Sequence, residues 1–233
     1  MAICVIPARG GSKRIPRKNI RLFAGKPMLA WSIQAAQQAG CFDHILVSTD
    51  DPEIASLAQQ LGAAVPFMRP ANLADDYAGT TQVVVHAIEY LNHAGYPSSA
   101  VCCLYATAPF VQPQDLCQGL ALLSNLPDDR FVFSATSYPY PIQRAIHLDS
   151  QGRARMWSPD CFHKRSQDLQ EAYHDAGQFY WGSPRSWCSL SNLFEGSLPL
   201  LLPRWRVQDI DTEEDWIRAE LMFNAIAGGQ QDG

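Results

Sequence analysis

Two short segments, almost two hundred residues apart, carry the residue types that could do chemistry. The first is Arg9-Gly10-Gly11-Ser12-Lys13, followed by Lys18-Asn19, with five cations between Arg9 and Lys18. Adjacent glycines let a backbone approach an anion closely. Successive N–H groups form a concave nest, and guanidinium and ammonium groups neutralise phosphate charge. By itself such a stretch is either a solvated basic loop or a triphosphate cradle. The Walker pattern of a P-loop is absent. The second segment is Asp209-Ile210-Asp211, expected at the end of a strand signalled by Val207. On a strand, period-two spacing would aim both carboxylates to one face. That would make a hard-oxygen site suited to Mg²⁺ carrying a triphosphate. Equally, Asp211 could cap a helix expected over 212–223 while Asp209 is solvated. Two other acidic pairs have simpler readings. Asp50-Asp51 is read as the N-cap of a helix that Pro52 opens, and Asp75-Asp76 as loop and capping chemistry.

The elements that must position these groups follow from periodicity. Residues 3–7 form a short apolar run of the kind buried in a parallel sheet, and it empties into the basic loop. Ligands of open α/β sheets bind at the carboxyl ends of strands, so that placement favours the cradle. Helices are expected over 27–40, 52–61, 80–94 and 113–123, and strands over 44–48, 64–67, 100–105 and 131–137. This alternation predicts an α/β fold, three layers with a mainly parallel sheet. From Tyr138 to Gln178 the rhythm breaks. Tyr138-Pro139-Tyr140-Pro141 cannot continue a helix, and Gln151-Gly152 reads as a hairpin turn.

Composition bounds the class. The chain has 233 residues, 47% hydrophobic and 18% charged, which fits one domain with a sizeable core. A net charge of −5 leaves no footprint for nucleic acid, so the basic loop is a local feature. Seven cysteines occur without a C-x-x-C pair, and Cys102-Cys103 lie in an apolar run, so reduced thiols and a cytoplasmic location are expected. No signal peptide or membrane-length apolar span is seen, so no membrane partner is expected.

Arg9-Gly10-Gly11-Ser12-Lys13 with Pro16, Lys18 and Asn19 resembles the N-terminal signature of the CMP-sialic acid synthetase family, and the likeness extends from Ile3 to about Phe223. The resemblance implies a Rossmann-like nucleotidyltransferase fold in one domain, residues 1–226, with a flexible tail over 227–233. It implies CMP transfer from CTP to a nine-carbon 2-keto sugar acid. Ala8, Arg9, Gly10, Gly11, Ser12, Lys13, Lys18, Asn19, Arg69 and Thr80 would bind the nucleotide. Arg9, Lys13, Lys18, Asp209 and Asp211 would be catalytic, the two aspartates holding Mg²⁺. Residues 138–178 match an arm that crosses to a neighbouring subunit, so a homodimer is expected.

Tyr105-Ala106-Thr107-Ala108-Pro109 stands where sialic acid synthetases have a glutamine-led turn. Together with Gln143, Arg144, Arg165 and Gln178, Tyr105 would bind the sugar acid. These segments look like the branch that activates pseudaminic acid rather than N-acetylneuraminic acid. Arg144 and Arg165 could each bind a carboxylate bidentately, or be surface cations of the arm. No histidine is placed well enough to be the general base; His174 is the one to consider. A glycosyltransferase D-x-D motif and a non-catalytic nucleotide module are the competing readings.

Overall fold

The apolar run that opens the chain alternates its side chains between two cores. Ile3 and Val5 point to one and Cys4 and Ile6 to the other, all fully buried. The computed structural model describes residues 1–74, 79–127, 129–189 and 192–229, so Asp75 and Asp76 lie outside the described residues. The first half runs β1 (Ala2–Pro7), β2 (Leu22–Phe23), β3 (Lys26–Pro27), α1 (Met28–Ala39), β4 (His44–Ser48), α2 (Pro52–Gln60), α3 (Thr80–His93), β5 (Ala100–Leu104) and α4 (Pro113–Leu123). The second half runs β6 (Phe131–Ser137), β7 (Ile146–Leu148), β8 (Ala154–Met156), β9 (Tyr173–Gly182), α5 (Pro184–Ser189), β10 (Leu198–Leu201) and α6 (Glu213–Gly229).

Six strands form one sheet in the order β10-β6-β9-β5-β1-β4. Its pairs are parallel except where β9 runs antiparallel to both β5 and β6. Leu29 and Ile33 of α1, Ile54 of α2 and Leu116 of α4 pack on one face. Val84, Ile88 and Leu91 of α3 and Trp187 of α5 pack on the other. The result is the three-layer α/β architecture that the sequence rhythm predicts. Among the described residues no helix is long and apolar enough to cross a membrane.

Four expectations are corrected. Residues 64–67 make only isolated bridges, Leu46 with Ala64 and Thr49 with Met68, because Pro66 has no N–H to give a ladder. The excursion ends at Ala172, not Gln178, since Tyr173, His174 and Asp175 already pair with Ser137, Thr136 and Ala135. Val207 begins no strand: Arg204–Arg206 is a 3₁₀ turn, and residues 207–211 belong to no strand. The edge strand β10 carries Pro199, a position where a missing N–H is tolerated. Finally, α6 begins at Glu213 and continues through 227–229, while 230–233 lie outside the described residues. The hairpin turn stands as expected, with Gly152 at φ 74° joining β7 and β8.

Candidate active site

Strands β1, β4 and β5 are parallel, so their carboxyl ends lie along one edge of the sheet. Because β9 runs the opposite way, its first residues reach that same edge. The basic loop leaves β1 here and is tied down at several points. Ala8 N–H donates to Ser48 O at 2.9 Å, Gly10 N–H to Asp50 Oδ1 at 3.0 Å, and Asn19 Nδ2 to Arg9 O at 2.9 Å. Asp51 is the N-cap of α2, accepting from Glu53 N–H and Ile54 N–H. It also pairs with Arg17, whose second nitrogen pairs with Glu53. Arg17 holds a left-handed φ of 56°, and these two ion pairs fix it there. The guanidinium and the capping N–H groups hold the Asp51 carboxyl below its ordinary range, against the opposing effect of its burial.

A third apolar cluster joins this loop to the acidic segment. Ile15 and Phe23 pack with Ile210, Trp216 and Ala219. Ile210 is fully buried, so Asp209 and Asp211 are anchored on either side of it. Lys18 Nζ donates to Ile210 O at 2.6 Å and lies 3.3 Å from Asp211 Oδ1, while Arg14 pairs with Asp211 Oδ2 at 2.9 Å.

Two cavities flank that anchor. One, of about 370 Å³, is lined by Arg9, Lys18, Asn19, Arg69, Thr80, Tyr105 and Asp211. Arg69 is buried and donates to Ser48 Oγ at 3.1 Å and to Ser48 O. Burial lowers its pKa, Asp50 opposes that, and the nearby Arg9 charge adds to it. Guanidinium groups gathered in one partly desolvated cavity, with Lys18, suit a polyphosphate. The Tyr105 hydroxyl lies 3.4 Å from Thr80 Oγ1, and burial raises its pKa. Ala8 is buried, whereas Gly11 and Lys13 are exposed on the loop beside Arg9.

The other cavity, of about 460 Å³, is lined by His174, Asp175, Arg204, Gln208, Asp209 and Arg218. His174 Nδ1 donates to Asp175 O at 2.8 Å. Asp209 and Asp211 thus line different cavities from one shared wall, not one face of a strand as expected. The reason is local, since no partner strand imposes a pleat on 207–211. Burial, then the Asp211 charge, raises the Asp209 pKa. Capping is done by Thr212: Asp215 N–H donates to its Oγ1 at 3.2 Å and Asp215 Oδ2 accepts from Thr212 N–H at 2.9 Å. Asp211 is therefore not the cap. Asp209, crowded by the Asp211 charge, and Asp211, which also pairs with Lys18 and Arg14, are carboxylates of the kind of which Mg²⁺ takes one or two from protein when phosphates supply the rest. Among the described residues, no cluster of three or more metal-ligating side chains gathers.

The expected sugar-binding residues scatter. Tyr105 lines the first cavity. Gln178 is only 3% exposed and donates from Nε2 to Arg206 O at 2.6 Å, so it is an interior strut. Gln143, Arg144 and Arg165 sit on the excursion and line neither cavity. Gln143 donates to Gln170 O, Arg144 to Lys164 O, and Arg165 pairs with Asp168. Asp50, read with Asp51 as a cap, instead tethers Gly10 across forty residues, and sequence reasoning missed Arg204, Asp175 and Arg218 as members of a site, because no local pattern distinguishes them.

Comparison with known proteins places the chain. The model of a family described as Cytidylyltransferase matches residues 3–146. A pseudaminic acid cytidylyltransferase of Campylobacter jejuni subsp. jejuni (strain 81-176) is 46% identical over 223 residues, covering 95% of each chain. A CMP-N,N'-diacetyllegionaminic acid synthase of Legionella pneumophila is 33% identical over 229 residues, again covering 95% of each. A solved CMP:2-keto-3-deoxy-manno-octonic acid synthetase complexed with CTP superposes with a TM-score of 0.69 at 17% identity, covering 96% of this chain and 98% of that one.

Proposed function

The chain belongs to the cytidylyltransferase family, and from that premise we propose that it transfers CMP from CTP to the anomeric hydroxyl of pseudaminic acid, giving CMP-pseudaminic acid and pyrophosphate. The 46% identity to a pseudaminic acid cytidylyltransferase over nearly the whole chain supports the acceptor. One observation carries the chemistry: Arg9, Lys18 and Arg69 converge on a cavity whose wall, at Asp209-Ile210-Asp211, is shared with a second cavity. Triphosphate in the first and sugar acid in the second would meet at that wall.

The sugar hydroxyl attacks the α-phosphorus in line. The new P–O bond forms as the bond to pyrophosphate breaks, and the hydroxyl proton passes to solvent. Arg9, Lys13, Lys18 and Arg69 neutralise the triphosphate, while Gly11 offers its backbone N–H on a loop that the Gly10 N–H to Asp50 and the Ser12 N–H to Gly10 O hold in shape. Asn19 holds the loop through Arg9 O, and Thr80 and Tyr105 border the nucleotide. Positioning and charge stabilisation do most of the work in such transfers. Asp209 and Asp211 are the residues that would hold Mg²⁺, which when bound neutralises charge developing on the phosphates. Arg204 and Arg218 take over the expected role of Arg144 and Arg165 in meeting the sugar carboxylate within one subunit.

Residues 1–226 form the catalytic unit, and the excursion is a dimerisation arm. Its exposed Tyr140, Leu148, Trp157 and Phe162 favour a covered surface, with Trp157 68% exposed. In a homodimer Gln143, Arg144 and Arg165 could reach a partner's cavity. A cytoplasmic setting supplies the CTP. The experiment is pyrophosphate release from CTP with pseudaminic, N,N'-diacetyllegionaminic and N-acetylneuraminic acids, with the CMP-sugars identified by mass spectrometry. At least about a hundredfold preference in kcat/KM for pseudaminic acid is expected, as unpaired polar groups penalise the wrong acceptor. Equal transfer to N-acetylneuraminic acid would overturn the acceptor assignment.

A further inference from the structure

Asp175 lines the second cavity at the start of β9, and both its oxygens are held from behind. Gly177 N–H donates to Oδ1 at 2.9 Å, and the buried Tyr180 hydroxyl donates to Oδ2. A carboxylate offers about four acceptor directions, so about two remain for whatever occupies the cavity. Tyr180 is itself braced, since its ring packs against that of Tyr105 with centroids 5.4 Å apart, and the Tyr105 hydroxyl in turn approaches Thr80 Oγ1 at 3.4 Å. Burial raises the pKa of Tyr180 well above the phenol range, so its hydroxyl keeps its proton and stays a donor. A series of side-chain contacts, Thr80–Tyr105–Tyr180–Asp175, therefore runs through the protein from the first cavity to the second. Arg204 and Arg218 line the same cavity. The walls thus offer cations to a carboxylate and an acceptor-only group to N–H or O–H donors.

We propose that Asp175 is a specificity-determining residue that accepts a hydrogen bond from an N–H or O–H of the acceptor sugar acid, and that Tyr180, braced by Tyr105, is the positioning residue that aims it. This rests on the cytidylyltransferase reading and adds the group that reads the acceptor. The test is steady-state kinetics of Asp175→Asn and Tyr180→Phe in the full chain, varying pseudaminic acid at saturating CTP and then CTP at saturating pseudaminic acid. Charge-assisted hydrogen bonds are roughly twice as strong as neutral ones. Losing one should raise KM for pseudaminic acid about 10–100-fold in Asp175→Asn. Loss of aim should raise it about 5–20-fold in Tyr180→Phe, with KM for CTP within about twofold of the parent in both. A merely structural role would move both KM values together. That result, or no change in KM for pseudaminic acid, overturns the proposal. If Tyr180→Phe fails to fold by circular dichroism, Asp175→Asn decides alone provided its own circular dichroism matches the parent's, since the amide keeps the shape and an acceptor for Tyr180 and gives up only the bond from the Gly177 N–H. A parent enzyme inactive on every nonulosonic acid would overturn the functional reading instead.

Discussion

Gly10 and Gly11 are neighbours with opposite expected sensitivities. A Cβ on Gly10 would lie 2.5 Å from Asp51 Oδ2 and 2.9 Å from Asp51 Cβ, whereas one on Gly11 meets nothing within 4 Å. Gly10 is not among the positive-φ glycines, so Gly10→Ala tests steric contact without backbone strain. Asp51 has little freedom to yield, because it caps α2 and pairs with Arg17. Overpacking of this kind costs about 1–3 kcal/mol. For a chain of this size each kcal/mol lowers the melting temperature by about 2–4 °C, so Gly10→Ala should melt about 2–12 °C below the parent. Gly11→Ala should melt with the parent. It should still raise KM for CTP, because the new methyl stands where a phosphate would approach the backbone. Asp51→Ala alone loses a cap worth about 1 kcal/mol, plus the Arg17 pair. Combined with Gly10→Ala, it removes the contacts with the carboxyl group and leaves only the one with Cβ at 2.9 Å, so the double variant should be more stable than the sum of the singles by about 0.5–3 kcal/mol. Differential scanning calorimetry with CTP titrations measures all of this. A Gly10→Ala melting temperature equal to the parent's, or strictly additive singles, would refute the steric account.

Three further outcomes follow from the site. Asp209→Asn should raise the melting temperature at neutral pH while shifting activity to higher Mg²⁺ concentrations. The fold raises the Asp209 pKa, so the ionised form is disfavoured above it, and the gain over the parent should fade as pH falls toward the unfolded value of about 3.9. A lower melting temperature at pH 7 would contradict this. Lys13→Ala should lower kcat/KM by about 2–4 kcal/mol of transition-state stabilisation with an unchanged melting temperature, measured by pyrophosphate release. Near-parental turnover would make Lys13 a surface residue. Trp157→Asp on the arm should convert a dimer to a monomer by light scattering, and an unchanged mass would remove the arm from the interface.

The sequence by itself determined whatever depends on near neighbours. The apolar run at 3–7, helical spacing with a stop at Gly40, the Asp51 cap before Pro52 and the turn at Gly152 all stand as read. These features arise from backbone conformation and side-chain periodicity over a few residues, which leave a trace in the local pattern. The Thr212–Asp215 cap had the same local spacing, and the acidic residues before it obscured it. What only the tertiary structure decided depends on pairing and burial between distant segments. The polar start of β9 reads as loop until β6 pairs with it, and Pro199 hides an edge strand. The burial of Ile210 against Ile15 and Phe23 brings the basic and acidic loops together. Without a partner strand at 207–211, the two aspartates turn to separate cavities, and Gln178 is drawn inside to hold Arg206 O. A hydrogen bond between residues forty positions apart, or a shared apolar anchor nearly two hundred apart, imposes no periodicity on the chain, so only the folded contacts could decide it.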